Sequence, residues 1–158
     1  MSNIVEKISN IPNLYKVNGA ESIEISKAQK CLGVQFSTDY IDYLKQFGAI
    51  SFWGTELTGL NISGPMNVVE ATKEERRFNK DFPKGCFVLE NIGIDNIIVV
   101  MNQDGFVFRY IEIRLERYAI PFLNISKEKF SLGEWIASDS RPNPINTVFI
   151  PNTCSKLI

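Results

Sequence analysis

The stretch Ile23–Gly48 constrains this chain most, because it writes two short amphipathic helices back to back, each with its own start and stop. In the first, Ile25, Ala28, Gln29 and Leu32 fall at i, i+3, i+4 and i+7, one face of a 3.6-residue period. Ser22 is placed to cap its start, and Gly33 supplies the left-handed residue that ends it. In the second, Phe36, Tyr40, Leu44 and Phe47 form the apolar stripe, with Ile41 beside it. Ser37 is the expected N-cap, Asp39 puts negative charge in the first turn, and Gly48 closes the helix. Only Val34 and Gln35 precede Phe36 after the first helix ends, so the two helices must turn sharply and share one core. Their residues are scaffold, which moves the search for function elsewhere.

The 158 residues are enough for one domain with a sizeable core, and 44% hydrophobic with 22% charged residues is ordinary globular composition. A net charge of −1 argues against direct nucleic-acid binding, which needs clustered Lys and Arg. There is no histidine. That removes the commonest general base, the usual zinc ligand and the partner of serine and cysteine nucleophiles. The three cysteines, Cys31, Cys86 and Cys154, are too widely spaced for a Cys-x-x-Cys metal site. Cys31 beside a helical apolar face and Cys86 at the head of an apolar strand are expected to be buried thiols, as in a reducing cytosol. The longest apolar run, Ile97 to Met101, is far short of the ~20 residues of a membrane helix. With no signal peptide at the N-terminus, the expectation is a soluble, cytoplasmic protein with no membrane partner, no metal and no cofactor.

Around the helix pair the chain alternates short elements. Ile4, Ile8 and Ile11 suggest a helix from about Ser2 stopped by Pro12, and Asn13 to Glu21 reads as a loop. Ala49–Trp53 and Glu56–Leu60 are β-prone and joined by Gly54-Thr55, a hairpin pattern. Ser63-Gly64-Pro65 marks a turn. Thr72-Lys73-Glu74-Glu75 has the capping-box spacing, which predicts a helix over about Lys73 to Asn79. Its mixed charges fit a solvated face or a partner-binding face. Cys86–Glu90, Ile97–Met101 and Phe106–Ile113 are strand-like runs with Gly/Asp/Asn-rich separators, the pattern of an antiparallel meander. The middle run is apolar on both faces and should be the most buried. Tyr118–Phe122 is a candidate edge strand, because Pro121 is barred from a central one. Ser131 and Glu134 make a second capping box, with Phe130 and Trp135 at the positions of a hydrophobic staple and the helix ending by Asp139. Thr147–Ile150 in the Pro/Asn-rich tail reads as an edge strand or a frayed end.

Taken in order, these residues resemble the SUKH superfamily, named after the yeast cell-wall-synthesis regulators of the Smi–Knr type. The matching pieces are Leu32-Gly33; Phe36-Ser37-Thr38-Asp39-Tyr40 with Gly48; and Trp53-Gly54-Thr55-Glu56-Leu57-Thr58-Gly59-Leu60. They continue with Val69-Glu70-Ala71-Thr72 and Arg76; Pro83-Lys84-Gly85; Asp95-Asn96; Ile97 to Val100; Gly105-Phe106-Val107-Phe108; and Ser131-Leu132-Gly133-Glu134-Trp135. Ser37 departs from the usual Pro, and Gln29 stands where many members carry Glu. The resemblance implies an α+β fold, a mainly antiparallel sheet with short helices packed around it. It implies a single domain over 1–158, with a core at about 22–138 and a C-terminal extension at 139–158.

It also implies a non-catalytic binding module. Bacterial members are similar to immunity proteins that bind and neutralise a cognate polymorphic toxin, often a nuclease. Fungal members serve as regulatory interaction modules. An enzyme would have to rest on carboxylates such as Glu90, Asp95 and Asp104 or on a cysteine without a histidine, and no spacing supports either. For a binding protein the candidate anchors are Trp53, Glu56, Asp95, Asn96, Asp104 and Arg109, at strand ends and turns where binding residues concentrate. Each also has a structural reading. Trp53 suits a core, Asp95, Asn96 and Asp104 suit turns, and Glu56 with Arg109 suits an internal ion pair.

Overall fold

The computed structural model describes residues 3–92, 97–111 and 130–137. They form one seven-stranded antiparallel sheet in the order β1-β2-β3-β4-β5-β6-β7, with helices on both sides, so the fold is α+β. Helix α1 spans Asn3–Ser9, β1 Tyr15–Lys16, α2 Ser22–Leu32 and α3 Thr38–Phe47. Strands β2 (Ile50–Phe52) and β3 (Thr55–Leu57) form a hairpin, and α4 covers Val68–Phe78. Strands β4 (Cys86–Asn91), β5 (Ile97–Asn102) and β6 (Phe106–Ile111) form the meander, followed by β7 (Phe130–Ser131) and α5 (Leu132–Ala137). Tyr118–Phe122, Cys154 and Thr147–Ile150 lie outside the described residues.

The alternating directions of β5 explain its double-sided hydrophobicity. Val99 and Met101 point into the larger core with α1, α2, α3 and α5; Ile98 and Val100 point into a smaller one with Ala71, Phe82, Val88 and Tyr110. The α3 stripe supplies the centre of the larger core: Tyr40, Tyr43 and Leu44 are fully enclosed, and Phe36 and Phe87 stack edge-on near Tyr40. Ser37 caps α3 by accepting from the Tyr40 amide, and Gly33 ends α2 at φ 66°. The cap of α2 is Glu21 rather than Ser22, in a reciprocal box with Glu24. Gln29 Oε1 accepts from the Phe36 amide at 2.7 Å and so pins the inter-helix turn. A glutamate there would offer the same acceptor, so the departure at Gln29 keeps the contact.

Two tyrosines tie α3 to the end of the hairpin. The Tyr40 hydroxyl donates to the Thr58 carbonyl at 3.0 Å, and that of Tyr43 reaches the Leu57 and Thr58 carbonyls at 3.2 and 3.1 Å. Burial raises both phenols well above their ordinary value, so they remain neutral donors. Gly59 is required here because a Cβ would stand 1.7 Å from the Gly48 carbonyl oxygen.

Strand β3 pairs with β4 only at Leu57–Glu90. Beyond that point two threonine hydroxyls complete the edge of β4: Thr72 Oγ1 accepts from the Val88 amide at 3.0 Å, and Thr58 Oγ1 donates to the Val88 carbonyl at 2.7 Å. Thr72 is not a cap; α4 begins at Val68, and Asn67 caps it by accepting from the Val69 and Glu70 amides. One turn on, Arg76 donates to the Leu32 carbonyl at 2.7 Å and the Cys86 carbonyl at 3.4 Å, docking α4 to α2 and β4. Part of the charged helix is therefore structural.

The second capping box is present: the Ser131 amide donates to Glu134 Oε2 at 2.8 Å, and the Glu134 amide to Ser131 Oγ at 3.2 Å. Cys86 is buried, and burial pushes its thiol up against an opposing pull from Arg76. Cys31 is exposed, contrary to expectation, because the apolar face of α2 turns inward through Ala28 and Leu32 and leaves position 31 outside.

Candidate partner-binding surface

The hairpin sorts its residues by alternation. Ile50, Phe52, Thr55 and Leu57 are buried, while Ser51 and Glu56 lie on the opposite face. Cross-strand pairing puts Tyr15, Ser51 and Glu56 in one row on that outer face. Tyr15 is 63% exposed and Glu56 is exposed as well. In the sequence, Asn13 to Glu21 reads as a loop. A two-residue strand carries no periodicity to reveal it, and only the pairing of Tyr15 with Ser51 shows that this ring belongs to the sheet.

At the tip, Phe52 pairs with Thr55, so Trp53 and Gly54 are the whole loop. Both have positive φ, 46° and 77°, as in a type I′ turn. Gly54 is at ease there, but a bulky residue at Trp53 is not. A left-handed φ costs an L-residue about 1–2 kcal/mol. The indole is 64% exposed and meets Phe52 edge-on at 6.0 Å. Covering about a third of a tryptophan gains about 2 kcal/mol at most, since the unfolded chain already shields some of it. The two terms nearly cancel. Trp53 is not a core residue, and the fold gains almost nothing from having tryptophan in this turn.

The four described sequence candidates are thus dispersed. Trp53 and Glu56 share the hairpin. Asp95 and Asn96 lie outside the described residues. Asp104 is exposed in the β5–β6 turn, at the opposite end of the sheet. There its amide and that of Phe106 donate to Asn102 Oδ1 at 3.1 and 3.0 Å, a turn-forming arrangement. Arg109 is half-buried on the inner face, in the row Leu57–Glu90–Val99–Arg109, with its guanidinium 5.4 Å from the Trp135 ring centroid. It braces α5 against β6. Glu56 points to the other face, so the suggested Glu56–Arg109 pair does not form.

Elsewhere, Phe78 is exposed at the end of α4 under the Arg77 guanidinium. A groove of about 200 Å³ on the meander has a lining that includes Cys86, Val100, Phe108 and Tyr110, with Lys84, Asn102 and Arg109 among its polar members. Among the described residues no cluster of His, Cys, Asp and Glu is placed to hold a metal, and no helix is long and apolar enough to cross a membrane.

The described residues form an antiparallel sheet wrapped by short helices, an α+β scaffold in which Gln29, Thr58, Thr72 and Arg76 are committed to backbone contacts. The family model SUKH_5, SMI1-KNR4 cell-wall, matches residues 1–127. The chain belongs to the SUKH superfamily, and as such it is an immunity or regulatory protein-interaction module. A search of the curated proteins gave no match.

Proposed function

We propose that this chain is an immunity protein that binds a cognate polymorphic toxin in the cytoplasm and neutralises it stoichiometrically, without catalysis of its own. The observation that carries the proposal is the division of labour along the family pattern. Gln29, Thr58, Gly59, Thr72 and Arg76 are committed to holding backbone together. Trp53, inside the same pattern, faces solvent and contributes almost nothing net to the fold. A stoichiometric inhibitor needs a rigid scaffold presenting a few large anchors, and aromatic residues are the usual ones.

The test is co-expression with the product of each neighbouring gene. Rescue of growth from a toxic neighbour, with co-purification of the pair, supports neutralisation. The cell-wall description of the family favours a second reading, an intracellular regulator like the fungal members. If no neighbouring product is toxic or co-purifies, that regulator reading takes precedence. Turnover of a substrate by the purified protein alone would overturn both.

A further inference from the structure

We infer that the β1–β2–β3 corner is the docking surface, with Trp53 at its tip as the anchor and Tyr15 and Glu56 on the adjoining outer face, and that its occupant is a protein presenting an apolar pocket beside a Lys or Arg side chain. The inference rests on the functional proposal above and says where and how binding occurs. Three observations converge on this corner. Trp53 occupies a left-handed turn position that asparagine would fill with less strain, and it holds most of its indole in solvent. Tyr15 adds a second exposed ring in register with Ser51, whose strand leads directly into the Trp53 turn. Glu56 completes the row as its only charge, is exposed, and makes no ion pair among the described residues. Lys16, next to Tyr15 in sequence, alternates to the other face, where its ammonium sits 5.7 Å from the Phe47 ring centroid.

The surface therefore offers two aromatic groups and one free carboxylate. Its complement is an apolar pocket that takes the indole, next to a cation that meets Glu56. Aromatic anchors contribute mainly to the lifetime of such a complex, whereas a rim carboxylate acts mainly on its association rate.

The experiment uses the full chain and the toxin identified by the rescue assay, with three variants. Trp53→Asn converts the tip to Asn-Gly, the preferred type I′ pair. It should leave Tm within about 4 °C of wild type, because the strain and burial contributions offset each other. It should weaken toxin binding by about 30-fold or more. Glu56→Gln should slow association and flatten its salt dependence. Phe78→Ala, at the far end of α4, should bind as wild type does. Wild-type affinity in Trp53→Asn would overturn the docking assignment while leaving the immunity reading intact. Absence of binding by the wild-type chain to every toxic neighbour would overturn both. A Tm loss beyond about 8 °C in Trp53→Asn would make the indole structural and refute the assignment. So would self-association of the wild type that Trp53→Asn abolishes, since the occupant would then be a second copy of this chain.

Discussion

The Thr72 hydroxyl stands where a strand is missing, and removing it tests the fold at its least conventional point. Strand β3 ends at Leu57, so the Val88 amide on the central strand β4 has no strand partner on that side and donates to Thr72 Oγ1 at 3.0 Å. Both residues are fully enclosed. Thr72→Val keeps the shape and removes the acceptor, leaving the amide buried without a partner at a cost of about 1–3 kcal/mol. With a central value of ~2 kcal/mol, a chain of this length should lose about 4–8 °C in Tm. Thr72→Ser keeps the acceptor and loses one methyl, about 1 kcal/mol. Urea unfolding ranks the three proteins, and amide hydrogen exchange reads the site itself. Exchange at Val88 should accelerate in Thr72→Val beyond what the change in global stability explains, and should track global stability in Thr72→Ser. A Thr72→Val protein as stable as wild type, or more stable than Thr72→Ser, would refute the idea that a hydroxyl completes the sheet edge.

Other substitutions probe the remaining joints. Leu44→Ala should destabilise by ~2–5 kcal/mol in a denaturant titration, because Leu44 is fully enclosed at the centre of the larger core; an unchanged midpoint would contradict that placement. Gly59→Ala should prevent folding or cost more than ~4 kcal/mol, since its Cβ meets the Gly48 carbonyl at 1.7 Å. Gly54→Ala, which meets open space at φ 77°, should cost only about 1–2 kcal/mol of backbone strain. Circular dichroism melts distinguish the two glycine variants. Ser131→Ala should lose ~1 kcal/mol by removing the α5 cap. The hydrogen bonds from Ser131 hold the Glu134 carboxyl below its ordinary value. The stability this carboxylate contributes is therefore fully present above its unfolded value, about pH 4–5, and is lost as pH falls through the lowered folded value. Melts of wild type and Glu134→Gln should differ at pH 6 and converge on acidification; a constant difference would refute the linkage.

Much of the scaffold was legible because its signals are local. Ser37, the Tyr40–Leu44–Phe47 stripe and Gly48 specify α3 without reference to anything distant, and the apolar run of β5 announces a strand buried on both faces. Ser131 and Glu134 likewise write their own box. The failures arose where a residue serves a distant partner. Thr72 has the spacing of a cap, but its acceptor is used by Val88 across the fold, and the true cap, Asn67, lies one turn earlier. Arg76 looked like one charge in a solvated run, yet it closes the carbonyls of Leu32 and Cys86. The candidate surface was half legible. Trp53 and Glu56 stand out as strand-end residues, but the tryptophan reads first as core, and the two-residue loop set by Phe52–Thr55 pairing places it at the tip instead. Tyr15 carried no signal at all, since its face is defined only by its register with Ser51. Arg109 is a further case: an arginine on a strand suggests an anchor, and only its row shows that its guanidinium also lies beside Trp135.

The most direct test of the central proposal is a titration of the purified protein into the purified product of the toxic neighbouring gene, with toxin activity as the readout. Tight stoichiometric neutralisation predicts a linear fall in activity that reaches zero at one equivalent, together with a stable complex in solution. Activity that persists at excess protein, or that disappears at a small fraction of an equivalent as a catalyst would achieve, would contradict it.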